Sequence, residues 1–358
     1  MKRIPVVVVT GFLGSGKTTL LNRLLKDPTL ADTAVIVNEF GDVGLDHLLI
    51  EQADEGIIEL SDGCLCCTMR GDLMDTLASL IDRLQTGRIE KLSRVVIETT
   101  GLADPAPILQ AVLAHPAMLQ SYVIDGVVTT VDAVNGFKTL EQHEEAVKQV
   151  AFADRIVLTK MDCIQVEPTV LIDRLHALNP NADIIDTRDI ITPSHLIDYG
   201  NFDATNKTPD VQRWLALEEH ANHHHHHHDD VNRHSDKIRA FSLVTDTPIS
   251  CGAFEAFIDL LRATKGEKLL RMKGIVQLLE DPNRPIIIHG VQTVFHPPQK
   301  LDTWPKGEKR TRLVIIGNGL DEEDIRRLFD AFLGKPSIDT ADHTALIDNP
   351  LAIPGIKF

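Results

Sequence analysis

A glycine-rich run near the start of the chain carries the clearest chemistry in the sequence. Residues 11–18 read GFLGSGKT, which fits G-x-x-x-x-G-K-[ST], and they stand between four consecutive valines and a run with helical spacing. In such a loop, glycines let successive backbone N–H groups surround a phosphate at a helix N-terminus, while the lysine charge meets the β and γ phosphates. We therefore predict that a nucleoside triphosphate binds there, with Mg²⁺ held by Thr18. The binding residues are Gly11, Gly14, Ser15, Gly16, Lys17, Thr18 and Thr19.

An acidic residue at the end of a later strand supplies a second part of a nucleotide site. Residues 94–97 predict a strand, and Glu98, Thr99, Thr100 and Gly101 follow it. A carboxylate at a strand end and a glycine N–H near the γ phosphate are the parts that a nucleotide-sensing loop needs. An acid after a strand is otherwise a solvated loop residue, but the upstream phosphate loop favours the nucleotide role. We predict that Gly101 binds phosphate and that Glu98 and Lys17 are the catalytic residues.

A third short motif, TKMD at residues 159–162, indicates which base is bound. It follows apolar residues 156–158, which predict a strand. A carboxylate such as that of Asp162 accepts hydrogen bonds from both N1–H and the exocyclic amino group of guanine, whereas adenine offers no such pair of donors. The motif therefore predicts GTP rather than ATP, with Thr159, Lys160 and Asp162 at the base. Thr159 stands where asparagine is commoner, and it loses an amide contact.

Three cysteines within four residues indicate metal or thiol chemistry. Cys64, Cys66 and Cys67 lie just before a predicted helix, in the run SDGCLCCT of residues 61–68. They are too close together to complete the four-ligand shell of a structural zinc site by themselves. Thiolates favour Zn²⁺ or Cu(I), and Co²⁺ is a further candidate, so we predict a metal site completed from elsewhere. Redox thiols, or inert small residues at a helix start, are the alternatives.

The missing metal ligand must come from another segment. Glu39, in the polar loop that follows the second predicted strand, is the first candidate, with Asp42 and His115 behind it. Cys163 and Cys251 are isolated in the sequence and are expected to be core residues. Six consecutive histidines at residues 223–228 are interpreted as native, because purification tags stand at chain ends; they would bind metal weakly or serve as a soluble spacer.

Charge and composition exclude several classes of function. The 358 residues include 36 Lys and Arg against 52 Asp and Glu, which gives a net charge of −16. The sequence has no block of Lys and Arg, so a nucleic-acid-binding protein is disfavoured. No apolar run approaches the roughly 18 residues of a membrane span, and residues 1–9 lack a signal-peptide cleavage site. Five cysteines, an odd number with three clustered, suit reduced thiols. We expect a cytoplasmic protein that binds neither nucleic acid nor membrane.

The apolar pattern predicts two domains of different class. Over residues 1–200, short apolar strands alternate with helical stretches, which predicts an α/β domain with a mainly parallel, doubly wound sheet. Together with the phosphate loop and TKMD, this predicts a P-loop GTPase domain. Residues 201–236 are a polar, histidine-rich linker. Residues 237–335 group strands around 238–244, 269–279, 285–295 and 312–316 with two helices, the second capped by Asp321, which predicts a smaller α+β domain. Residues 336–358 form a tail without a clear pattern.

The motifs taken in order resemble those of the CobW-type metallochaperone GTPases. They are GFLGSGKTT, VNEFGDVGLD, GCLCC, IETTGLADP and TKMD, and residues 271–274, 282–284 and 290–292 look like the C-terminal domain of that family. The resemblance implies GTP-dependent binding of Zn²⁺ or Co²⁺ by the cysteines and delivery to client metalloproteins. It also assigns Lys17 and Thr18 to phosphate and Mg²⁺, and Glu98 to the nucleotide switch.

Competing interpretations stay open at this point. Most sequences with this resemblance look like zinc-handling proteins, but a cobalt-handling GTPase of cobalamin biosynthesis would use the same ligands. A GTP-gated regulatory protein with redox-sensing cysteines and little turnover is an alternative of another class. An ATP-dependent kinase is disfavoured by TKMD and by the lack of a recognisable base. The C-terminal domain would recognise a client or mediate a nucleotide-dependent homodimer.

Overall fold

Two β-sheets organise the part of the chain that the structure describes. The structure is a computed structural model, and it describes residues 3–37, 57–59, 68–189, 192, 196–197, 237–305 and 309–335. The predicted linker and tail fall wholly outside these ranges, so the domain boundaries stay predictions. Within the described ranges, no helix combines the length and the apolar character needed to cross a membrane.

The first sheet has seven parallel strands in the order β3-β2-β4-β1-β5-β6-β7. Its strands are β1 (Ile4–Gly11), β2 (Thr33–Val37), β3 (Ile57–Glu59), β4 (Arg94–Glu98), β5 (Tyr122–Asp132), β6 (Arg155–Thr159) and β7 (Asp183–Asp186). Every residue of β1 is buried, as expected for a parallel strand covered on both faces. Because the strands are parallel, the carboxyl ends of β1, β4, β5 and β6 lie at one edge of the sheet, and the strand order changes direction at β1. Such an edge is where open α/β sheets bind ligands.

Helices cover both faces of this sheet. They are α1 (Lys17–Leu25), α2 (Thr68–Gln85), α3 (Ala106–Ala114), α4 (Pro116–Ser121), α5 (Gly136–Gln142), α6 (Glu144–Phe152) and α7 (Thr169–Leu178). One apolar cluster joins Val6 and Val8 to leucines of α2, and a second joins Val7 and Val9 to leucines of α1. Alternate valines of β1 therefore serve opposite cores, which is the doubly wound arrangement that the sequence predicted.

The second sheet is antiparallel and smaller, with the order β11-β10-β9-β13-β8 and β12 paired to β10. It consists of β8 (Ile238–Thr245), β9 (Leu269–Val276), β10 (Ile286–Val291), β11 (Val294–Phe295), β12 (Gln299–Lys300) and β13 (Thr311–Asn318), with α8 (Cys251–Lys265) and α9 (Glu322–Phe332). Asp321 caps α9 by accepting from the N–H groups of Glu323 and Asp324, as predicted. The fold class is confirmed.

Two predicted strands of this sheet differ from the observed ones. The strand expected over residues 269–279 ends at Val276, and the one expected over 285–295 is a hairpin of two strands. Gln292 at the hairpin turn has a left-handed backbone, with φ 51°. A non-glycine residue in that region marks a turn rather than a continuing strand.

The end of α6 joins the two sheets. From β9, the Arg271 guanidinium donates to the carbonyl oxygen of Phe152 and to Oδ1 of Asp154, and Lys273 Nζ donates to the same Oδ1. Burial acts to raise the pKa of Asp154, but the charges of Arg271 and Lys273 outweigh it and hold that pKa well below its usual range. A buried carboxylate with two cationic partners therefore connects the sheets.

Candidate functional site

The loop between β1 and α1 has the backbone shape of a phosphate-binding loop. Gly14 and Gly16 have φ values of 69° and 91°, in the left-handed region that favours glycine. A Cβ added at Gly11 would lie 2.3 Å from Thr130 Oγ1, so the loop passes too close to β5 for any side chain there. Gly16 is the N-cap of α1 and carries no capping side chain, so no side chain of the N-cap accepts from the first helical N–H groups.

Lys17 lies over this loop. Its side chain is buried, and Nζ donates to the carbonyl oxygens of Gly11 at 3.0 Å and Phe12 at 3.3 Å. Ser15 Oγ shares a hydrogen bond of 2.6 Å with Thr130 Oγ1, which fastens the loop to β5. Thr19 is exposed on the first turn of α1. The ammonium group therefore lies against the loop backbone, and phosphate binding by these residues stays a prediction.

Thr18 and Glu98 meet at the carboxyl edge of the sheet. Thr18 Oγ1 donates to Glu98 Oε1 at 2.7 Å, and Glu98 is only 4% exposed. Beside them, Thr99 Oγ1 donates to Thr10 Oγ1 at 2.8 Å. A hydroxyl and a carboxylate in contact form an oxygen donor set of the kind that Mg²⁺ prefers. The residues present therefore fit a magnesium ion.

Gly101 lies directly against the phosphate loop. A Cβ added there would lie 2.6 Å from the backbone nitrogen of Leu13 and 2.7 Å from its Cα. The segment after Glu98 thus reaches the loop by backbone contact, which a glycine permits. The prediction that Gly101 belongs to the nucleotide site fits this approach.

The base motif is tied to the phosphate loop and to the end of β5. Thr159 Oγ1 donates to the Ser15 carbonyl oxygen at 2.7 Å, so this threonine supports the loop. Lys160 has a left-handed backbone, φ 57°, and its Nζ lies 2.7 Å from Asp132 Oδ2. Burial would raise the pKa of Asp132, but hydrogen bonds from Lys160, Asn135 and nearby N–H groups outweigh it and hold that pKa below its usual range. Asp162 is exposed beside them.

Thr159→Val is expected to weaken GDP binding about 5- to 10-fold. The substitution keeps the side-chain shape but leaves the buried Ser15 carbonyl without the Oγ1 hydrogen bond, which is worth about 1 kcal/mol. A fluorescent GDP analogue would report the Kd. Thr86→Val is the matched control, because Thr86 Oγ1 makes a hydrogen bond of the same kind to Asp82 O, at 2.7 Å, on the exposed end of α2. Equal Kd values for wild type and Thr159→Val would show that the hydroxyl does not support the loop.

The metal-binding predictions mostly fall outside the described residues. Cys64, Cys66, Cys67, Glu39 and Asp42 lie there, as do the six histidines. Within the described ranges, no group of three or more His, Cys, Asp and Glu side chains could hold a metal ion.

The strand ends that flank the cysteine and Glu39 segments can nevertheless be placed. Val37, the last residue of β2, pairs in register with Glu98 on one side and with Glu59, the last residue of β3, on the other. The last described residues before the two segments, Val37 and Glu59, therefore lie at the edge that holds Glu98.

Three other expectations have definite outcomes. His115 is exposed and precedes β5, so it stands at the amino edge of the sheet, opposite Glu98. Cys163 is exposed and Cys251 half-buried, so the prediction that both are core residues is wrong. They lie in a turn after β6 and in the first turn of α8, and local sequence does not reveal that such positions face solvent.

Sequence reasoning missed two polar residues of the site. Asp132 follows the strand pattern of β5 and could have been found as an acid at a strand end beside the phosphate loop. Gln149 lies in α6, and its Nε2 donates to the carbonyl oxygens of Gly101 and Ala103. A glutamine in an amphipathic helix carries no local signal for such a contact.

Comparison with known families assigns both sheets. Residues 5–186 match "CobW/HypB/UreG, nucleotide-binding domain", and residues 238–333 match "Cobalamin synthesis protein cobW C-terminal domain". The chain belongs to the CobW/HypB/UreG family. The resemblance to CobW-type GTPases is therefore confirmed. As a member of the CobW/HypB/UreG family, the chain combines a nucleotide-binding domain of the GTPase class with a CobW-type second domain.

Individual relatives of this CobW/HypB/UreG chain cover nearly its whole length. Zinc chaperone YjiA of Escherichia coli is 35% identical over 330 residues, which cover 92% of this chain and 98% of the relative. Zinc-regulated GTPase metalloprotein activator 1 of Schizosaccharomyces pombe is 31% identical, covering 88% and 83%. Among solved structures, Zn(II)-bound YjiA GTPase from E. coli has a TM-score of 0.67 at 30% identity, covering 93% and 99%. A Zn(II)-bound triple mutant of YjiA, with one glutamate and two cysteines replaced by alanine, has a TM-score of 0.68, again at 30% identity over 93% and 99%.

Proposed function

We propose that this chain is a slow GTPase that binds Zn²⁺ through Cys64, Cys66 and Cys67 and transfers it to client metalloproteins. The observation that carries the proposal is the near full-length similarity to relatives named zinc chaperone and zinc-regulated GTPase metalloprotein activator, in a chain that has the cysteine motif. Co²⁺ accepts the same ligands and is the second metal to be tested. The second domain is proposed to recognise the client or a second copy of the chain.

The geometry of the carboxyl edge supports the proposed nucleotide roles. Backbone N–H groups of the phosphate loop and the Lys17 ammonium hold the phosphates, and Gly101 approaches the γ phosphate. Thr159, Lys160 and Asp162 serve the base, with Asp162 selecting guanine. Thr18 and Glu98 would hold Mg²⁺, which neutralises charge on the β and γ phosphates when it is bound. Lys17 and Glu98 are the proposed catalytic residues.

Metal binding is proposed to depend on the nucleotide. The strands that precede Glu39 and the cysteines end at the same edge of the sheet as Glu98, because Val37 of β2 pairs with Glu98 on one side and with Glu59 of β3 on the other. A γ phosphate that orders the Glu98 edge would therefore also order these segments and favour a shell of three thiolates and Glu39. Linkage makes the effect reciprocal, so zinc must tighten GTP by the same factor by which GTP tightens zinc.

The test is an anaerobic titration of Zn²⁺ and Co²⁺ into metal-free protein with residues 223–228 deleted, in GDP and in a non-hydrolysable GTP analogue. We expect one tight site that is about 10-fold tighter with the analogue and is lost when Cys64, Cys66 and Cys67 are replaced by serine. Bound zinc alone is not decisive, since a triple mutant of YjiA is itself Zn(II)-bound. Equal zinc affinity in both nucleotides would contradict the coupling, and a site that survives the serine substitutions would contradict the ligand assignment.

A further inference from the structure

Gln149 is a buried polar side chain that none of the sequence motifs explains. It lies in the middle of α6 and is 1% exposed. Its Nε2 donates to the carbonyl oxygen of Gly101 at 3.1 Å and to that of Ala103 at 3.0 Å. Its own backbone carbonyl accepts from Thr129 Oγ1 at 2.9 Å, which fixes this turn of α6 against β5. Gln149 therefore joins the core of the first sheet to the segment that follows Glu98.

The orientation of the Gln149 amide is determined by its partners. Both are carbonyl oxygens, which only accept hydrogen bonds, so the NH₂ group must face them. Oε1 then has no hydrogen-bond partner among the described residues. A buried oxygen without a partner is costly, and an apolar side chain of similar length would avoid that cost. Packing alone therefore does not explain a glutamine at this position.

The contacts of Gln149 fix one side of Gly101, and the phosphate loop fixes the other. On the loop side, the Gly101 backbone lies so close to Leu13 that a Cβ would meet its backbone atoms at 2.6–2.7 Å. On the opposite side are the two hydrogen bonds from Nε2. The turn closes on itself as well, since Ala103 N–H donates to Thr100 O at 3.1 Å. The position of the Gly101 N–H is thus set between the loop and α6.

We infer that Gln149 is a positioning residue for GTP hydrolysis, which holds the Gly101–Ala103 backbone so that the Gly101 N–H meets the γ phosphate. This inference rests on the proposed function of the site. GDP lacks the γ phosphate, so the contribution of Gln149 is specific to the triphosphate. A purely structural role would instead affect both nucleotides equally.

Gln149→Met tests this directly, because methionine has a similar length and no donor. We expect GDP affinity to stay within about 2-fold of wild type, while the preference for a GTP analogue over GDP and kcat each fall about 10-fold, as expected for the loss of two neutral hydrogen bonds. Gln149→Glu places a carboxylate against two carbonyl oxygens, so its preference for the GTP analogue and its kcat should both fall further. Gln142→Met, on the exposed end of neighbouring α5, is the matched control and should match wild type.

Amide hydrogen exchange gives a readout that does not depend on catalysis. With the GTP analogue bound, the N–H groups of Gly101 and Leu102 should exchange faster in Gln149→Met than in wild type. The inference fails if the affinities for GDP and for the GTP analogue fall by the same factor. It also fails if both Gln149 variants keep the wild-type nucleotide preference and amide exchange rates. Lys17→Ala separates this failure from failure of the proposed function. If Lys17→Ala still hydrolyses GTP, the proposed site is wrong. If Lys17→Ala loses hydrolysis but Gln149→Met behaves as wild type, only the inference about Gln149 is wrong.

Discussion

Gly101→Ala is expected to lower the rate of GTP hydrolysis about 100-fold while weakening GDP binding much less. The added Cβ would stand 2.6 Å from the Leu13 backbone nitrogen and 2.7 Å from its Cα. Backbone atoms of a tight loop cannot yield as the end of a flexible side chain would, so the Gly101 segment must move away. A displacement of about 1 Å from productive geometry costs roughly 100-fold in rate.

Single-turnover hydrolysis and the Kd for a fluorescent GDP analogue would measure the two effects of Gly101→Ala. Gly252→Ala is the control, because a Cβ at Gly252 meets no atom within 4 Å. Hydrolysis by Gly101→Ala at the wild-type rate would mean that the close approach to Leu13 is not part of the reacting arrangement. A parallel loss of GDP binding would indicate damage to the phosphate loop itself.

Arg271→Met is expected to lower the free energy of unfolding by about 3–5 kcal/mol, the usual cost of removing one partner from a buried ion pair. Arg271 is itself buried, and its loss leaves the Phe152 carbonyl unpaired and Asp154 with Lys273 alone from β9. Urea denaturation in the presence of GDP would measure the change. Arg284→Met is the control, because Arg284 forms an exposed ion pair with Asp302 at 2.9 Å. Its substitution should lower the free energy of unfolding by less than about 1 kcal/mol.

The pH dependence of this stability has a definite sign. Because the folded pKa of Asp154 is held below its unfolded value, its contribution is fully present above the unfolded pKa of about 3.9 and is lost as pH falls towards the folded pKa. The difference between wild type and Arg271→Met should therefore be constant near neutral pH and shrink below about pH 4. If Arg271→Met lowers the free energy of unfolding at neutral pH no more than Arg284→Met does, the buried ion pair does not stabilise the fold as proposed.

The sequence predicted the parts of the molecule that depend on neighbouring residues. Four consecutive valines before GFLGSGKT indicate a buried parallel strand and its loop, and Asp321 before an amphipathic run indicates a helix cap. Contacts between distant segments were not predictable in this way. Gln149 is 48 residues from Gly101, and Arg271 is 117 residues from Asp154, so only the three-dimensional fold pairs them. Cys163 and Cys251 were misjudged for the same reason, since their exposure depends on the tertiary position of their turns.

The buried carboxylate between α6 and β6 limits how parts of such proteins can be recombined. Asp154 lies in the turn between α6 and β6, on the side of the first sheet, but the two cations from β9 that bind it belong to the second. A chimaera that joins this first sheet to the second domain of a relative would bury an unmatched negative charge unless that domain presents cations where Arg271 and Lys273 stand. The two halves are therefore compatible as a matched set, and an exchange between relatives must keep the turn that carries Asp154 together with β9.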